Sequence, residues 1–178
     1  LVGDFEGLYR DFEDPWHQSR EDHQHDTRRR MAIDWCRRLR AEKGANRTLE
    51  LGCGFGHLTD SLRQSSFSSI GVDVAPSAIH QARIKNPSSV FLTHGFEEDS
   101  LLARFDPDIV IMAEITWYVL DHLNAFNARL RDFAAARERP TFLIHLLTTY
   151  APGVQKYGRD YFTNLDEILE FFDLNIIE

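Results

Sequence analysis

The chain has 178 residues, enough for one sizeable domain and not for two. Its net charge of −8 argues against a nucleic-acid backbone or an anionic membrane as the main partner. Two cysteines, Cys36 and Cys53, make no disulfide framework, and no membrane-length apolar run or signal peptide is visible. We therefore expect a cytoplasmic globular domain with a small-molecule partner; the oligomeric state is not predicted.

The first 45 residues are expected to form a helical arm, and residues 46–178 to form the core of the same single domain. Met31, Trp35 and Leu39 recur every four residues, which predicts a helix over about 27–43 with one buried stripe. The arginine-rich run on this helix, which begins at Arg28, is interpreted as a solvated face with acidic neighbours.

In the core, strand-like apolar runs alternate with helical ones, a pattern typical of a parallel sheet wrapped by helices. The predicted strands cover residues 48–51, 69–73, 90–93, 108–113, 141–147 and 174–177. The predicted helices cover residues 56–64, 76–85, 98–104, 124–136 and 165–172. The fold class is therefore α/β, with a Rossmann-like doubly wound sheet.

A glycine-rich turn joins the first predicted strand to the first core helix. Gly52, Gly54 and Gly56 lack side chains, so the backbone can lie against a ligand beside a helix N-terminus. About 20 residues later a second strand ends in Asp73, at the distance where a carboxylate can accept hydrogen bonds from a ribose. The pattern predicts a nucleoside-binding βαβ unit.

The motif resembles that of the class I S-adenosylmethionine-dependent methyltransferases, E/D-x-G-x-G-x-G, which residues 50–56 match at every fixed position. The resemblance implies that S-adenosyl-L-methionine is the cofactor. It also implies contacts from the turn, from Asp73 to the ribose and from Val74 to the adenine. Many relatives bind the adenine with an aspartate at about the position of Gly95; this chain has none there, so we expect the backbone or ring of Phe96 to contact the adenine. The residues assigned to the turn are Glu50, Gly52, Cys53, Gly54 and Gly56. Sheets of this class normally have seven strands, so the final antiparallel strand is expected to be missing.

Three other interpretations remain open at this stage. An NAD-linked oxidoreductase would use G-x-G-x-x-G, but His57 stands where its third glycine belongs. A homologue that binds the cofactor without catalysis would carry the same turn. A glycine turn with no ligand is the third.

The segment that follows the fourth strand is predicted to hold the chemistry. A glutamate at the end of a buried strand, Glu114, is costly unless it is paired, so we expect it to face the cofactor sulfonium or an acceptor amine or hydroxyl. The alternative is a structural acid paired with a local N–H or an arginine. Tyr118 is expected to wall the pocket, and His122 is either a base or a surface residue at a helix start. No metal-ligand set is apparent in the sequence.

Two further segments resemble the nodulation-type N-methyltransferases, which act on the glucosamine end of a chitin oligosaccharide. These are the Asp-Pro-Trp segment that ends at Trp16 and the Glu-x-x-Trp-Tyr-x-Leu segment that begins at Glu114. The resemblance implies a small hydrophilic acceptor, such as a sugar or aminosugar. It also suggests that the arm covers the cofactor, with Tyr9 and Trp16 as contacts; a simply packed arm is the alternative.

Overall fold

The computed structural model describes residues 3–16, 23–96, 98, 100–150, 154–155 and 158–177, without the side chains of 23–25. Its helices are α1 (Phe5–Asp11), α2 (His23–Lys43), α3 (His57–Gln64), α4 (Pro76–Lys85), α5 (Leu101–Phe105), α6 (Leu123–Ala135) and α7 (Leu165–Phe172). Its strands are β1 (Arg47–Leu51), β2 (Ser68–Asp73), β3 (Val90–Thr93), β4 (Ile109–Ala113) and β5 (Phe142–Leu146). Two short 3₁₀ helices, Thr116–Tyr118 and Leu120–His122, connect β4 to α6. No helix in the described part of the chain is long and apolar enough to cross a membrane.

The five strands form one parallel sheet in the order β3-β2-β1-β4-β5. The predicted Rossmann-like α/β fold is therefore confirmed. The strand order reverses between β1 and β4, and such a switch point opens a crevice at the carboxyl ends of the strands.

Helices cover both faces of the sheet, which explains why the interior strand β4 is apolar throughout. Successive side chains of β4 point to opposite faces. Ile109 and Ile111 pack in a core with α2 and α3, whereas Val110 and Met112 pack in a second core with α5, α6 and α7.

The buried stripe of α2 differs from the prediction. Leu39 is buried as expected, but Met31 is half exposed, and the residues fully buried beside Leu39 are Ala32 and Cys36. Small side chains allow the helix to lie close against α3 and the sheet, so the spacing of the largest apolar residues misidentified the buried face.

The predicted sixth strand is also wrong. Asp173 ends α7 in a left-handed conformation with φ 45°, and residues 174–177 that follow have no strand partner. Leu174, Ile176 and Ile177 are exposed. The described residues contain no antiparallel strand, in keeping with the expected absence of the final one.

Candidate functional site

A cavity of about 340 Å³ lies at the carboxyl ends of the strands, within the size range of small-molecule sites. It is lined by most of the residues predicted for the cofactor, namely Glu50, Gly52, Cys53, Asp73, Val74 and Phe96. Glu114 and Tyr118 line it from the β4 side, and Tyr9 and Trp16 line it from the arm. The structure thus brings together residues that are scattered over the sequence.

The glycine turn is tight because each glycine has a left-handed backbone. Gly52 lines the cavity, and a Cβ there would come within 2.5 Å of the Ile115 side chain. Gly54 and Gly56, which were also predicted as contacts, are not among the residues that line the cavity. Gly54 donates its N–H to Asp73, and a Cβ on Gly56 would come within 2.2 Å of the Phe91 ring. These two glycines therefore shape the turn from behind the cavity wall.

Asp73 is buried at the end of β2 and also holds the turn in place. Its Oδ2 accepts the N–H of Gly54 at 2.9 Å, and its Oδ1 accepts the N–H of Ala75 at 3.0 Å. Burial raises the pKa of this carboxyl, while the backbone hydrogen bonds oppose the rise. A carboxylate offers about four acceptor positions, so Asp73 retains capacity for ligand hydroxyls.

Glu50 and Cys53 form the buried floor of the cavity. Glu50 accepts a hydrogen bond from the Thr59 hydroxyl of α3, and burial raises the pKa of its carboxyl to about 7. Burial also raises the pKa of the Cys53 thiol well above its usual range. Cys53 is therefore a packed, neutral thiol rather than a nucleophile.

Glu114 follows β4, on the opposite side of β1 from Asp73. Its carboxylate accepts the backbone N–H and the hydroxyl of Thr148 and forms an ion pair with Arg28 at 3.3 Å. The carboxylate nevertheless lines the cavity and is 30% exposed. The structure therefore contains the pairing expected of a structural acid, and it also places Glu114 in the lining of the cavity.

Aromatic rings from the arm cover the cavity. The Tyr118 ring packs edge-on against Phe5, with centroids 5.6 Å apart, and lies 5.3 Å from the Trp16 ring. Tyr9, one helical turn after Phe5 in α1, is buried against Phe55. The arm therefore packs against the core and lines the cavity with the same rings.

The structure does not bring His122, the other predicted base, into the cavity. This residue lies at the N-cap position of α6, is exposed, and is not part of the cavity lining. Its place corresponds to the alternative, a surface histidine at a helix start.

Two arginines and two histidines of the lining were not predicted as site residues: Arg28, Arg29, His57 and His94. The buried Nε2 of His57 has no hydrogen-bond partner among the described residues. Burial and the nearby Arg29 guanidinium lower the pKa of His57. The position of His57 directly after the glycine turn was a usable signal, whereas Arg28 gave none because its partners, Glu114 and Thr148, are distant in sequence.

A parallel sheet with a glycine turn after β1, an acid at the end of β2 and a cavity at the switch point defines a nucleoside-binding α/β domain. The family model of nodulation protein S (NodS) matches residues 6–142. This match covers more than half of the chain, so the chain belongs to the nodulation protein S family. That family consists of S-adenosylmethionine-dependent methyltransferases, which confirms the predicted family and the cofactor it uses.

Solved structures show the same fold at low sequence identity. The bifunctional kinase-methyltransferase WbdD is 17% identical, with a TM-score of 0.63, and the match covers 88% of this chain and 36% of WbdD. Streptomyces venezuelae DesVI is 16% identical, with a TM-score of 0.57, and the match covers 87% of this chain and 62% of DesVI. The chain thus spans less than two thirds of the length of either. No curated protein sequence matches the chain at a significant level.

Proposed function

We propose that this chain transfers the methyl group of S-adenosylmethionine to an amine of a small hydrophilic acceptor, with an aminosugar as the first candidate. The observation that carries the proposal is one continuous cavity that joins Gly52 and Asp73 to Glu114. The resemblance to the nodulation-type enzymes supports the aminosugar, and a hydroxyl acceptor is the alternative.

The residues present suit the cofactor. Asp73 has acceptor positions left for a ribose, and Val74 and Phe96 supply apolar surface for a base. Arg29, on the same side as the glycine turn and His57, is the cation that a methionine carboxylate would require. Bound S-adenosylmethionine would supply a methyl group already activated by the sulfonium.

The chain then has two remaining tasks, to orient the acceptor and to exclude water. Glu114 is suited to the first task because its carboxylate can accept a hydrogen bond from an amine and take its proton. Phe5, Trp16 and Tyr118 are suited to the second because their rings pack together over the cavity.

Two experiments test the cofactor and the acceptor separately. Calorimetry is expected to show binding of S-adenosylhomocysteine and none of NAD; the reverse result would contradict the proposed cofactor. Mass spectrometry is expected to show methyl transfer to glucosamine and its β-1,4-linked oligomers, and none to N-acetylglucosamine, whose amine is blocked. Methylation of both sugars would identify a hydroxyl as the acceptor.

The role of Glu114 is tested by substitution. Glu114→Gln should lower turnover about 10²- to 10⁴-fold, the usual contribution of a positioned acid or base. S-adenosylhomocysteine affinity should change little, because the glycine turn and Asp73 are intact. Glu42→Gln is a matched control, since Glu42 is an exposed residue of α2 paired with Arg38. Near-normal turnover in Glu114→Gln would remove Glu114 from the mechanism and leave Tyr118 as the candidate.

A further inference from the structure

Arg28 of α2 reaches across the cavity to two residues that follow the distant strands β4 and β5. Its Nε lies 3.3 Å from Oε1 of Glu114, and its Nη2 donates to the hydroxyl of Thr148 at 3.0 Å. One guanidinium therefore contacts both partners with separate nitrogen atoms, a geometry that a lysine ammonium cannot reproduce.

Thr148 completes a closed arrangement around the Glu114 carboxylate. Its backbone N–H donates to Oε2 at 3.2 Å, and its hydroxyl lies 3.1 and 3.2 Å from Oε2 and Oε1. Because that hydroxyl accepts from Arg28, its own hydrogen is available to Glu114. Together Arg28 and Thr148 present three hydrogens to a group with about four acceptor positions, which leaves about one position for a ligand.

The backbone at Glu114 is unusual in the same place. Glu114 has φ 59°, a left-handed conformation that glycine adopts readily and other residues adopt rarely. Its N–H donates to the carbonyl of Leu146 at 2.7 Å, which holds the conformation. Non-glycine residues in this region are concentrated at functional sites, where surrounding contacts fix them.

We infer that Arg28 is a positioning residue for methyl transfer, which acts by fixing the orientation of the Glu114 carboxylate. The inference rests on the proposed function, in which Glu114 meets the acceptor. It assigns the arm helix α2 a role in turnover as well as in covering the sheet. Arg30, two residues later, is the contrast: it pairs only with Asp26 of the same helix among the described residues and is 74% exposed.

The inference is tested by a double-mutant cycle with Arg28→Gln, Glu114→Gln and the combined variant, measured with glucosamine oligomers as acceptors. Arg28→Gln is expected to lower kcat about 10- to 100-fold, with S-adenosylhomocysteine affinity within about twofold of the wild type. The combined variant should lose no more activity than Glu114→Gln alone, because Arg28 acts through Glu114. Arg28→Lys should recover part of kcat, and Arg30→Gln should leave it unchanged.

The outcomes separate this inference from the function on which it rests. Wild-type kcat in Arg28→Gln, together with impaired Glu114→Gln, would overturn the positioning role alone. Additive losses in the combined variant would also overturn it, since they would mean that Arg28 acts independently of Glu114. Normal turnover in Glu114→Gln would remove Glu114 from the mechanism and would overturn this inference with it. No transfer by the wild-type chain to any of these acceptors would overturn the proposed function itself.

Discussion

The carboxylate of Glu6 caps a helix to which it does not belong. Its Oε2 accepts the backbone N–H of Ser77 at 3.0 Å, and its Oε1 accepts the Ser77 hydroxyl at 2.6 Å. Ser77 lies in the first turn of α4, whose own N-cap residue, Ala75, has no side chain that could accept these bonds. Because Asp73 lies just before this turn, Glu6 attaches α1 beside the predicted ribose site.

Removing the charge of Glu6 should therefore weaken cofactor binding without unfolding the core. Glu6→Gln is expected to lower S-adenosylhomocysteine affinity on the order of fivefold at neutral pH, since one amide oxygen replaces two carboxylate oxygens. The hydrogen bonds to Ser77 lower the pKa of Glu6. The contact is therefore fully present above the pH range in which glutamates usually titrate, and it is lost as the pH falls below that range and the carboxylate is protonated. Calorimetry near pH 7 measures the effect.

Glu13→Gln serves as the control for Glu6→Gln, because it removes the same charge from an exposed residue of the arm. If both variants lose affinity equally, the effect is one of net charge, and the capping of α4 by Glu6 has no part in it.

Asp73 should contribute to both cofactor binding and loop stability. Asp73→Ala is expected to weaken S-adenosylhomocysteine binding by about 1.5–3 kcal/mol, the scale of lost hydrogen bonds to a charged group. It should also lower the free energy of unfolding of the cofactor-free protein, because the N–H groups of Gly54 and Ala75 lose their acceptor. Calorimetry and urea unfolding measure the two effects.

Asp73→Asn separates the two roles of Asp73, because its amide oxygen retains one acceptor for the loop while the charge is lost. Relative to Asp73→Ala, the Asn variant should regain more of the lost free energy of unfolding than of the lost S-adenosylhomocysteine affinity. An unchanged affinity in Asp73→Ala would mean that Asp73 does not hold the ribose.

Glu50 should make the stability of the cofactor-free protein fall as pH rises. Burial raises the pKa of its carboxyl to about 7, against 4.5 for an ordinary glutamate. Between these values the native state holds a proton that the unfolded chain has lost, so the free energy of unfolding decreases through this window and levels off above it. The full contribution is on the order of 3 kcal/mol.

Glu50→Gln removes this titration and retains an oxygen that can accept the Thr59 hydroxyl. Urea unfolding at pH 5 and pH 8 should show that the wild type loses more stability between the two than the variant does. Glu42→Gln, at an exposed position, should follow the wild type. A parallel decline in the wild type and Glu50→Gln would mean that Glu50 is already charged at pH 5.

The elements predicted most closely from sequence are those with local start and stop signals. The bounds of α4 were predicted because Pro76 fits a first helical turn and an Asn-Pro pair stops the helix. The cofactor turn was predicted because its backbone conformation requires glycines that are adjacent in sequence. The predicted strand over residues 174–177 was wrong. Strand propensity describes a single segment, and a strand forms only where a neighbouring strand pairs with it.

Contacts between distant segments were beyond the reach of the sequence. Arg28 has the appearance of a solvated helix residue, and its partners at Glu114 and Thr148 become neighbours only when the arm crosses the sheet. The buried face of α2 was misjudged for a related reason. Close packing selects the small side chains of Ala32 and Cys36, and their burial depends on the shape of the opposing surface.

Gly56 should be less replaceable than another glycine with the same backbone conformation. Gly44 and Gly56 have φ values of 71° and 76°, so alanine at either position incurs the left-handed penalty of about 1–2 kcal/mol. A Cβ at Gly44 meets nothing within 4 Å, whereas at Gly56 it comes within 2.2 Å of the buried Phe91 ring. Gly56→Ala should therefore cost about 1–3 kcal/mol more in the free energy of unfolding than Gly44→Ala.

The added cost in Gly56→Ala is steric, so space at residue 91 should relieve it. In urea unfolding, Phe91→Leu is expected to cost less stability in the Gly56→Ala background than in the wild type. In the wild type the smaller side chain leaves a cavity, whereas in Gly56→Ala it removes the clash with the added Cβ. Gly44→Ala and Phe91→Leu should be additive, since nothing lies near a Cβ at Gly44. Additivity for Gly56→Ala as well would show that the backbone conformation alone, and not the Phe91 ring, requires glycine at the start of α3.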